Sequence, residues 1–287
     1  MTLRELVAEA ETRLRSGPHP DRARLDAETL LLHVLKQNRA WLLGHGEDEA
    51  PADIQDSFAT TIARRQAGEP IQYITGEAEF FGLPFSVAPG VLIPRPETEH
   101  LVEEVIRVAG AFAEPRIADI GTGSGAIAVA LAHSLPLAHI TAVDISTRAL
   151  TIAQQNAIRN QVQNQIEFVE GDLLAPLVGQ SFHIIASNPP YVPLADRDSL
   201  SVEVREHEPH TALFAGDDGL SIYRRLIPEA HALLVPEGWL VMEIGYGQRE
   251  AVDEMLMAHG YRDTRFVRDY QGIQRVAVGQ KADSLRE

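Results

Sequence analysis

An α/β fold is the class this sequence predicts: a mostly parallel sheet, preceded by a small helical bundle and a β-hairpin linker. Three observations predict it. From Arg116 onward, short apolar runs alternate with helical patterns, the order that covers a parallel sheet on both faces. The first of these runs leads into a glycine-rich turn, Gly121-Thr122-Gly123-Ser124-Gly125, of the kind that lets backbone approach a ligand beside a helix amino end. Residues 1 to about 70, by contrast, carry helical periodicity. The division expected is a bundle over 1–70, a hairpin linker over 71–95 and the sheet domain over 96–287.

The bundle opens with Thr2 and Glu5 at capping-box spacing, so a helix starts at Leu3. Leu3, Leu6, Val7, Ala10 and Leu14 form its inward stripe, and Gly17-Pro18 ends it. A second helix is expected from about Asp21, with Leu25, Leu32 and Leu35 inward. Trp41-Leu42-Leu43 marks a short third, and Ala52 to Ala67 a fourth on Ile54, Phe58 and Ile62. His33 sits among leucines and reads as a packed residue rather than a ligand, and Glu47-Asp48-Glu49 reads as a solvated loop.

From about residue 71 the pattern changes. Glu79-Phe80-Phe81-Gly82-Leu83-Pro84-Phe85-Ser86-Val87 reads as a hairpin around a glycine, and Pro89-Gly90 as a turn. Pro96 suits the first position of a helix whose amino end favours Glu97 and Glu99, with Leu101, Val102, Val105 and Ile106 buried. A well-capped helix entrance accounts for those acids. Arg95, held between two prolines, is the residue there to suspect of a substrate contact.

In the sheet domain Arg116-Ile117-Ala118-Asp119-Ile120 is the first strand and Ala126 to His133 the helix after the glycine turn. The second strand, His139 to Val143, ends in Asp144, placed to accept hydrogen bonds from both hydroxyls of a ribose. Ser146 or Thr147 serves as the following N-cap, so capping does not explain the acid. On these residues alone a dinucleotide such as NAD stays open. The third strand, Ile166 to Glu170, ends at Gly171-Asp172-Leu173, where Asp172 suits an adenine amino group and Leu173 its ring.

The fourth strand is Phe182-His183-Ile184-Ile185-Ala186, and it runs into Asn188-Pro189-Pro190-Tyr191. Two prolines stop a ladder and stiffen the turn after it. The tip offers the Asn188 side-chain oxygen, the Pro189 carbonyl and the Tyr191 ring. Two acceptors and a flat cover suit a planar group bearing NH2. Further on, Tyr223 to Leu234 reads as a helix, Trp239 to Ile244 as a strand and Gln248 to His259 as a helix. Thr264 to Val267 and Gln274 to Val278 read as an edge hairpin, and the charge-dense run Arg205 to His210 as a solvated loop rather than a metal site.

Bulk properties narrow the classes. Cysteine is absent, which excludes disulfides, thiolate metal sites and cysteine nucleophiles. The net charge is −16 and the only lysines are Lys36 and Lys281. Nucleic-acid binders draw most of their affinity from clustered cations, so direct nucleic-acid binding is not expected. No apolar run reaches membrane-spanning length and no signal-peptide layout is present. A cytoplasmic monomer with no metal is expected.

The order Asp119, glycine turn, Asp144, Asp172 and Asn188 to Tyr191 resembles a Rossmann-like class I S-adenosylmethionine-dependent methyltransferase, and the last four residues resemble the signature of enzymes that methylate planar amino nitrogens. Taken with Gln72-Tyr73-Ile74-Thr75-Gly76, Glu79-Phe80-Phe81-Gly82, Ile93-Pro94-Arg95-Pro96-Glu97-Thr98-Glu99, Glu208-Pro209 and Asp218-Gly219-Leu220, the chain resembles the PrmC/HemK family over nearly its whole length. That resemblance implies methylation of the side-chain amide of the glutamine in the GGQ motif of peptide chain release factors, in support of translation termination. It implies S-adenosyl-L-methionine as methyl donor, held by Asp119, Gly121, Thr122, Gly123, Ser124, Gly125, Asp144, Asp172, Leu173 and Asn188. Asn188, Pro189, Pro190, Tyr191 and Arg95 would meet the substrate, with Asn188, Pro189 and Tyr191 doing the chemistry. The alternative from the same motif is an adenine N6-type nucleic-acid methyltransferase.

Overall fold

The computed structural model describes residues 1–282; the last five positions of the expected sheet domain lie outside the described residues. The chain separates into two compact units. One is Met1–Glu77 together with Leu200–His207; the other is Ala78–Ser199 and the chain from Glu208.

The first unit is helical. Helix α1 (Leu3–Leu14) begins with both halves of the capping box, the Glu5 N–H donating to the Thr2 hydroxyl and the Thr2 N–H to the Glu5 carboxylate, and it buries the five residues of its expected stripe. Helices α2 (Ala23–Leu35), α3 (Arg39–His45) and α4 (Ala52–Gln66) follow. The inward face of α2 differs from the leucine stripe, of which Leu35 does pack, partly buried, against the core. Ala23, Asp26, Ala27, Leu30 and Leu31 are buried, while Leu25 is half-exposed at 50%. The cause is Asp26, which turns inward because Arg65 of α4 is buried against it. Residues 71–75, expected to begin the hairpin linker, instead form a short helix, α5 (Ile71–Thr75), whose Ile71 and Ile74 join the bundle core. The charged run near 205 is not a loop either. Helix α9 (Val202–His207) belongs to this unit, and a Cβ on Gly68 would stand 2.8 Å from the Val202 side chain.

The second unit begins at Ala78, within the hairpin of β1 (Glu77–Phe80) and β2 (Leu83–Ser86). Its turn places Phe81 and Gly82 at φ 53° and 71°, the positive values that a two-residue turn requires. For a phenylalanine that conformation is strained. It is held by the Phe81 N–H, which donates to the Glu99 carboxylate at 2.8 Å. Glu99, the first residue of helix α6 (Glu99–Ala109), therefore does more than favour a helix end.

The sheet is built from β3 (Arg116–Ile120), β4 (His139–Asp144), β5 (Ile166–Glu170), β6 (Phe182–Ser187), β7 (Leu234–Glu243), β8 (Tyr261–Arg268) and β9 (Gln274–Lys281). Its order is β5-β4-β3-β6-β7-β9-β8. The first five strands are parallel, and β9 returns antiparallel to both β7 and β8. Helices α7 (Ala126–Ser134), α8 (Thr147–Arg159), α10 (Ser221–Leu233) and α11 (Arg249–Ala258) make the crossovers and covers. Side chains alternate across the pleat. Ile117 joins the core under α6 and α7, and Ala118 and Ile120 join the core under α10 and α11. Helix α7 is buried on every side, which its alanines permit. Strand β7 starts five residues earlier than the Trp239 run suggests, with a register shift between Leu234 and Trp239, a stretch in which Glu237 has φ 61°. Among the described residues no helix is long and apolar enough to cross a membrane.

Candidate active site

Strand order reverses between β3 and β6, since β4 and β5 lie to one side of β3 and β7 lies beyond β6. In open α/β sheets ligands bind at such a switch, outside the carboxyl ends of the strands. The glycine turn follows β3 and Asn188-Pro189-Pro190-Tyr191 follows β6, so the topology puts both at that point.

The glycine turn is built for close approach. Gly121 and Gly123 have φ of 74° and 56°, and a Cβ on either would meet nothing within 4 Å among the described residues. The space in front of them is open, and only glycine adopts that backbone without strain. Gly125 (φ 81°) is different, because its Cβ would come within 3.0 Å of Ala153. Packing against α8 requires a glycine here. Asp119 lies fully buried beneath the turn, accepting from the Thr122 hydroxyl at 2.6 Å and the Ala128 N–H at 3.2 Å. Its other oxygen has no partner among the described residues. Burial pushes its carboxyl up to about 7, against those two donors and with some help from the charge of Asp144.

Asp144 ends β4 and accepts from the Gly123 N–H at 2.8 Å and the Ser146 N–H at 2.9 Å, one on each oxygen. Each oxygen keeps a lone pair, enough for two ribose hydroxyls. Burial raises its carboxyl from the ordinary value, and backbone N–H groups oppose that. The N-cap of α8 is Ser146, whose hydroxyl accepts from the Ala149 N–H at 3.2 Å. Asp172 and Leu173 lie on the same edge of the sheet beyond β5. Asp172 is exposed and ion-paired with Arg225 at 2.7 Å, and Leu173 is held half-buried at φ 49°.

Asn156 was not singled out by its sequence, where it sits inside a helical pattern. It is fully buried in α8. Its oxygen accepts from the Ser86 N–H at 2.7 Å, and its NH2 donates to the carbonyls of Ser86 at 3.0 Å and Ser124 at 2.8 Å. One amide thus ties the end of the β1–β2 hairpin to the glycine turn. A polar residue at a position where the helix face should be apolar was the available signal.

Ser187 is the last paired residue of β6, aligned with Ile120 and Met242. Asn188 and Pro189 lie just past the ladder. The Asn188 NH2 donates to the Thr98 hydroxyl at 3.1 Å, and that hydroxyl donates to the Glu243 carboxylate at 2.6 Å. The second oxygen of Glu243 accepts from the Tyr191 hydroxyl at 3.0 Å. One buried carboxylate at the end of β7 thereby holds both ends of the four-residue motif. Burial pushes Glu243 above the usual carboxylate range, though Thr98, Tyr191 and Arg275 work against the rise. Burial, then the charge of Glu243, pushes the Tyr191 phenol well up. Thr98 and Glu243 escaped sequence reasoning: one read as part of a helix entrance, the other as strand scaffolding.

The backbone after Tyr191 is clamped as well. The Gln248 NH2 donates to the Tyr191 carbonyl at 2.9 Å and to that of Gly219 at 3.3 Å. A Cβ on Gly219 would collide with the Tyr191 carbonyl. Arg95 does not stand free as a contact residue. Its guanidinium grips both oxygens of buried Glu208, at 2.5 and 2.6 Å, and so pins the segment beyond the motif.

A seven-stranded sheet of this order, with a glycine turn and a strand-end acid beside an Asn-Pro-Pro-Tyr tip, defines a class I methyltransferase. The fold is shared with a methyltransferase from Pyrococcus furiosus, which superposes with a TM-score of 0.51 at 19% identity over 70% of this chain and 90% of that one. Residues 5–76 match the model of the PrmC N-terminal domain, and residues 98–204 that of the methyltransferase small domain. The release factor glutamine methyltransferase of Koribacter versatilis is 45% identical over 99% of this chain and all of its own length. That of Moorella thermoacetica is likewise 45% identical, over 99% of this chain and 100% of its own. The chain belongs to the release factor glutamine methyltransferase family.

The raised carboxyl of Asp119 sets the sign of a pH effect on stability. Its ordinary value is 3.8 and its folded value about 7, so between these the native chain binds more protons than the unfolded one. The stability this group contributes in acid is lost as pH rises through that window. Asp119→Asn is expected to gain on the parent in thermal unfolding temperature from pH 5 to pH 8. A gap that stays constant with pH would show that Asp119 is not the group responsible.

Proposed function

We propose that this chain transfers a methyl group from S-adenosylmethionine to the side-chain amide nitrogen of the glutamine in peptide chain release factors. The observation that carries this reading is the likeness to release factor glutamine methyltransferases along 99% of the chain, bundle region included. The site suits the chemistry. Open space before Gly121 and Gly123, the orphan oxygen of Asp119 and the free lone pairs of Asp144 fit the donor. Thr122 and Ser124 shape the turn, and Asp172 and Leu173 would meet the adenine end.

Bound S-adenosylmethionine supplies an electrophilic methyl group on a positively charged sulfur. The chain's own residues present the nucleophile. An amide nitrogen is weakly nucleophilic because its lone pair is delocalised into the carbonyl. The Asn188 oxygen and the Pro189 carbonyl accept its two N–H hydrogens and turn the lone pair toward the methyl. They also stabilise the positive charge that grows on nitrogen. The Tyr191 ring, braced by Glu243, keeps the amide plane in place, with Pro190 stiffening the turn. Once methylated, the nitrogen is acidic enough to lose its proton to water, so no general base is assigned. Alignment is the main contribution, worth up to roughly 7–11 kcal/mol at the extreme.

Arg95 would meet the substrate on this reading, its guanidinium held in place by Glu208. Residues 1–70 recognise the protein substrate, the enzyme works as a cytoplasmic monomer, and nucleic acid is not its target. The test is incubation with labelled S-adenosylmethionine and either intact release factor, release factor with the glutamine replaced by alanine, or DNA. Label is expected in the first alone. Label in DNA would favour the adenine N6-type alternative, and label in the alanine variant would place the methyl elsewhere.

A further inference from the structure

We propose that Thr98 and Glu243 act as positioning residues, a two-step hydrogen-bond relay that sets which way the Asn188 amide faces. The inference rests on the reading of Asn188 as the substrate's acceptor. An asparagine amide has nearly identical ends in shape and opposite ends in chemistry: the oxygen accepts and the NH2 donates. Turned one way, Asn188 offers an acceptor to an incoming NH2. Turned the other, it offers a donor and repels it. Its own side chain does not choose between the two.

The choice is made two bonds away. Both oxygens of Glu243 are used as acceptors, one by the Tyr191 hydroxyl and the other by the Thr98 hydroxyl, which donates to it at 2.6 Å. Having spent its one proton, the hydroxyl can only accept toward Asn188, and it receives the NH2 at 3.1 Å. The Asn188 oxygen is then left facing away from Thr98. The same carboxylate receives the Tyr191 hydroxyl at 3.0 Å, so acceptor and ring are set from one buried group. Glu243 is 1% exposed and Thr98 4%, which shields both links from water that would substitute for them.

The relay makes distinct demands on each position. Thr98→Val keeps volume and removes the hydroxyl, so nothing orients the amide. Thr98→Ser keeps the hydroxyl. Glu243→Gln must point its NH2 at either Thr98 or Tyr191. Pointed at Thr98, it makes that hydroxyl an acceptor from below and frees its proton for Asn188, reversing the amide.

The experiment combines single-turnover methylation of intact release factor with side-chain amide NMR of the 15N-labelled protein. Thr98→Val and Glu243→Gln are each expected to slow transfer about ten- to a hundredfold, the range for a lost hydrogen bond to a charged or buried partner. S-adenosylhomocysteine affinity should change less than about twofold, and Thr98→Ser should recover most of the rate. In an Asn188→Ala background Thr98→Val should add almost nothing, because residues acting through one another are non-additive. The Asn188 NH2 signals should be slow to exchange in the parent and fast in Thr98→Val. A parent rate in Thr98→Val, or the same loss with and without Asn188, would overturn the relay. Failure of the parent to methylate release factor would instead sink the functional reading, and the Asn188 amide signals would then decide the relay alone.

Discussion

Replacing Asn188 by alanine is expected to slow methyl transfer about a hundredfold to a thousandfold, with cofactor affinity close to that of the parent. The range is that for removing one preorganised donor or acceptor from developing charge, about 2.7–4 kcal/mol. The geometry explains why the loss should fall on the chemical step. Asn188 stands past the last paired residue of β6, its NH2 is taken by Thr98, and its oxygen is what remains for the substrate. Asn188→Asp sharpens the test, because it keeps shape and an acceptor but loses the NH2 that Thr98 receives. It also places a second carboxylate near buried Glu243. Were Asn188 only a turn former, aspartate would serve as well. Both variants should be slow in single-turnover assays while S-adenosylhomocysteine affinity hardly moves. Parent-like rates in both would remove Asn188 from the chemistry.

What could be read from sequence was whatever is local. The capping box at Thr2 and Glu5, the alternation of strands and helices, the glycine turn and the acid closing β4 are each written within a few residues. So is the tip after β6, since two prolines end a ladder wherever they fall. The parts not legible are those whose partners are distant. Glu243 meets Thr98 across 145 residues and Tyr191 across 52, and within Trp239 to Ile244 it looks like the polar end of a strand. Asn156 reaches 70 residues back to Ser86. The pairing of Arg95 with Glu208 was not legible either, because the two lie 113 residues apart. Asp172 was expected at an adenine; on its exposed side it meets Arg225, a cation no local pattern announces.

The same limit produced the misplaced face of α2. Leucines 25, 32 and 35 have helical spacing, but a polar residue at 26 conceals the true stripe, whose members are spaced three, one, three and one apart. A buried acid is invisible until its cation is known. Likewise α9 reads as solvated charge, because the groups that pair with Glu203, His19 and Arg65, lie more than 130 residues earlier in the chain. Physical chemistry predicted most of the elements, α5 and α9 excepted; the pairings between them required the fold.

That buried cation carries the second large effect. Arg65→Ala is expected to cost the helical unit about 3–5 kcal/mol, the range for breaking one member of a buried ion pair. Arg65 and Asp26 have side chains only 2% exposed, with Nε donating to the carboxylate at 2.7 Å. The guanidinium also bonds the Glu69 carbonyl at 3.0 Å and pairs with Glu203 of α9. Removing it leaves Asp26 buried beside a cavity, with Arg22, at 3.5 Å, the cation left among the described residues to offset its charge. Glu203 also loses its pairing with Arg65, so residues 200–207 should lose hydrogen-exchange protection together with α2 and α4. The penalty belongs to the uncompensated charge rather than to the strength of the bridge. The double variant Asp26→Leu with Arg65→Met should therefore recover most of the loss, because an apolar pair of similar volume avoids desolvation altogether. Denaturant titration followed by exchange at the amides of α1, α2 and α4 distinguishes the cases. A loss under about 1 kcal/mol in Arg65→Ala, or a double variant as unstable as the single, would mean that the ion pair is incidental to how this bundle is held.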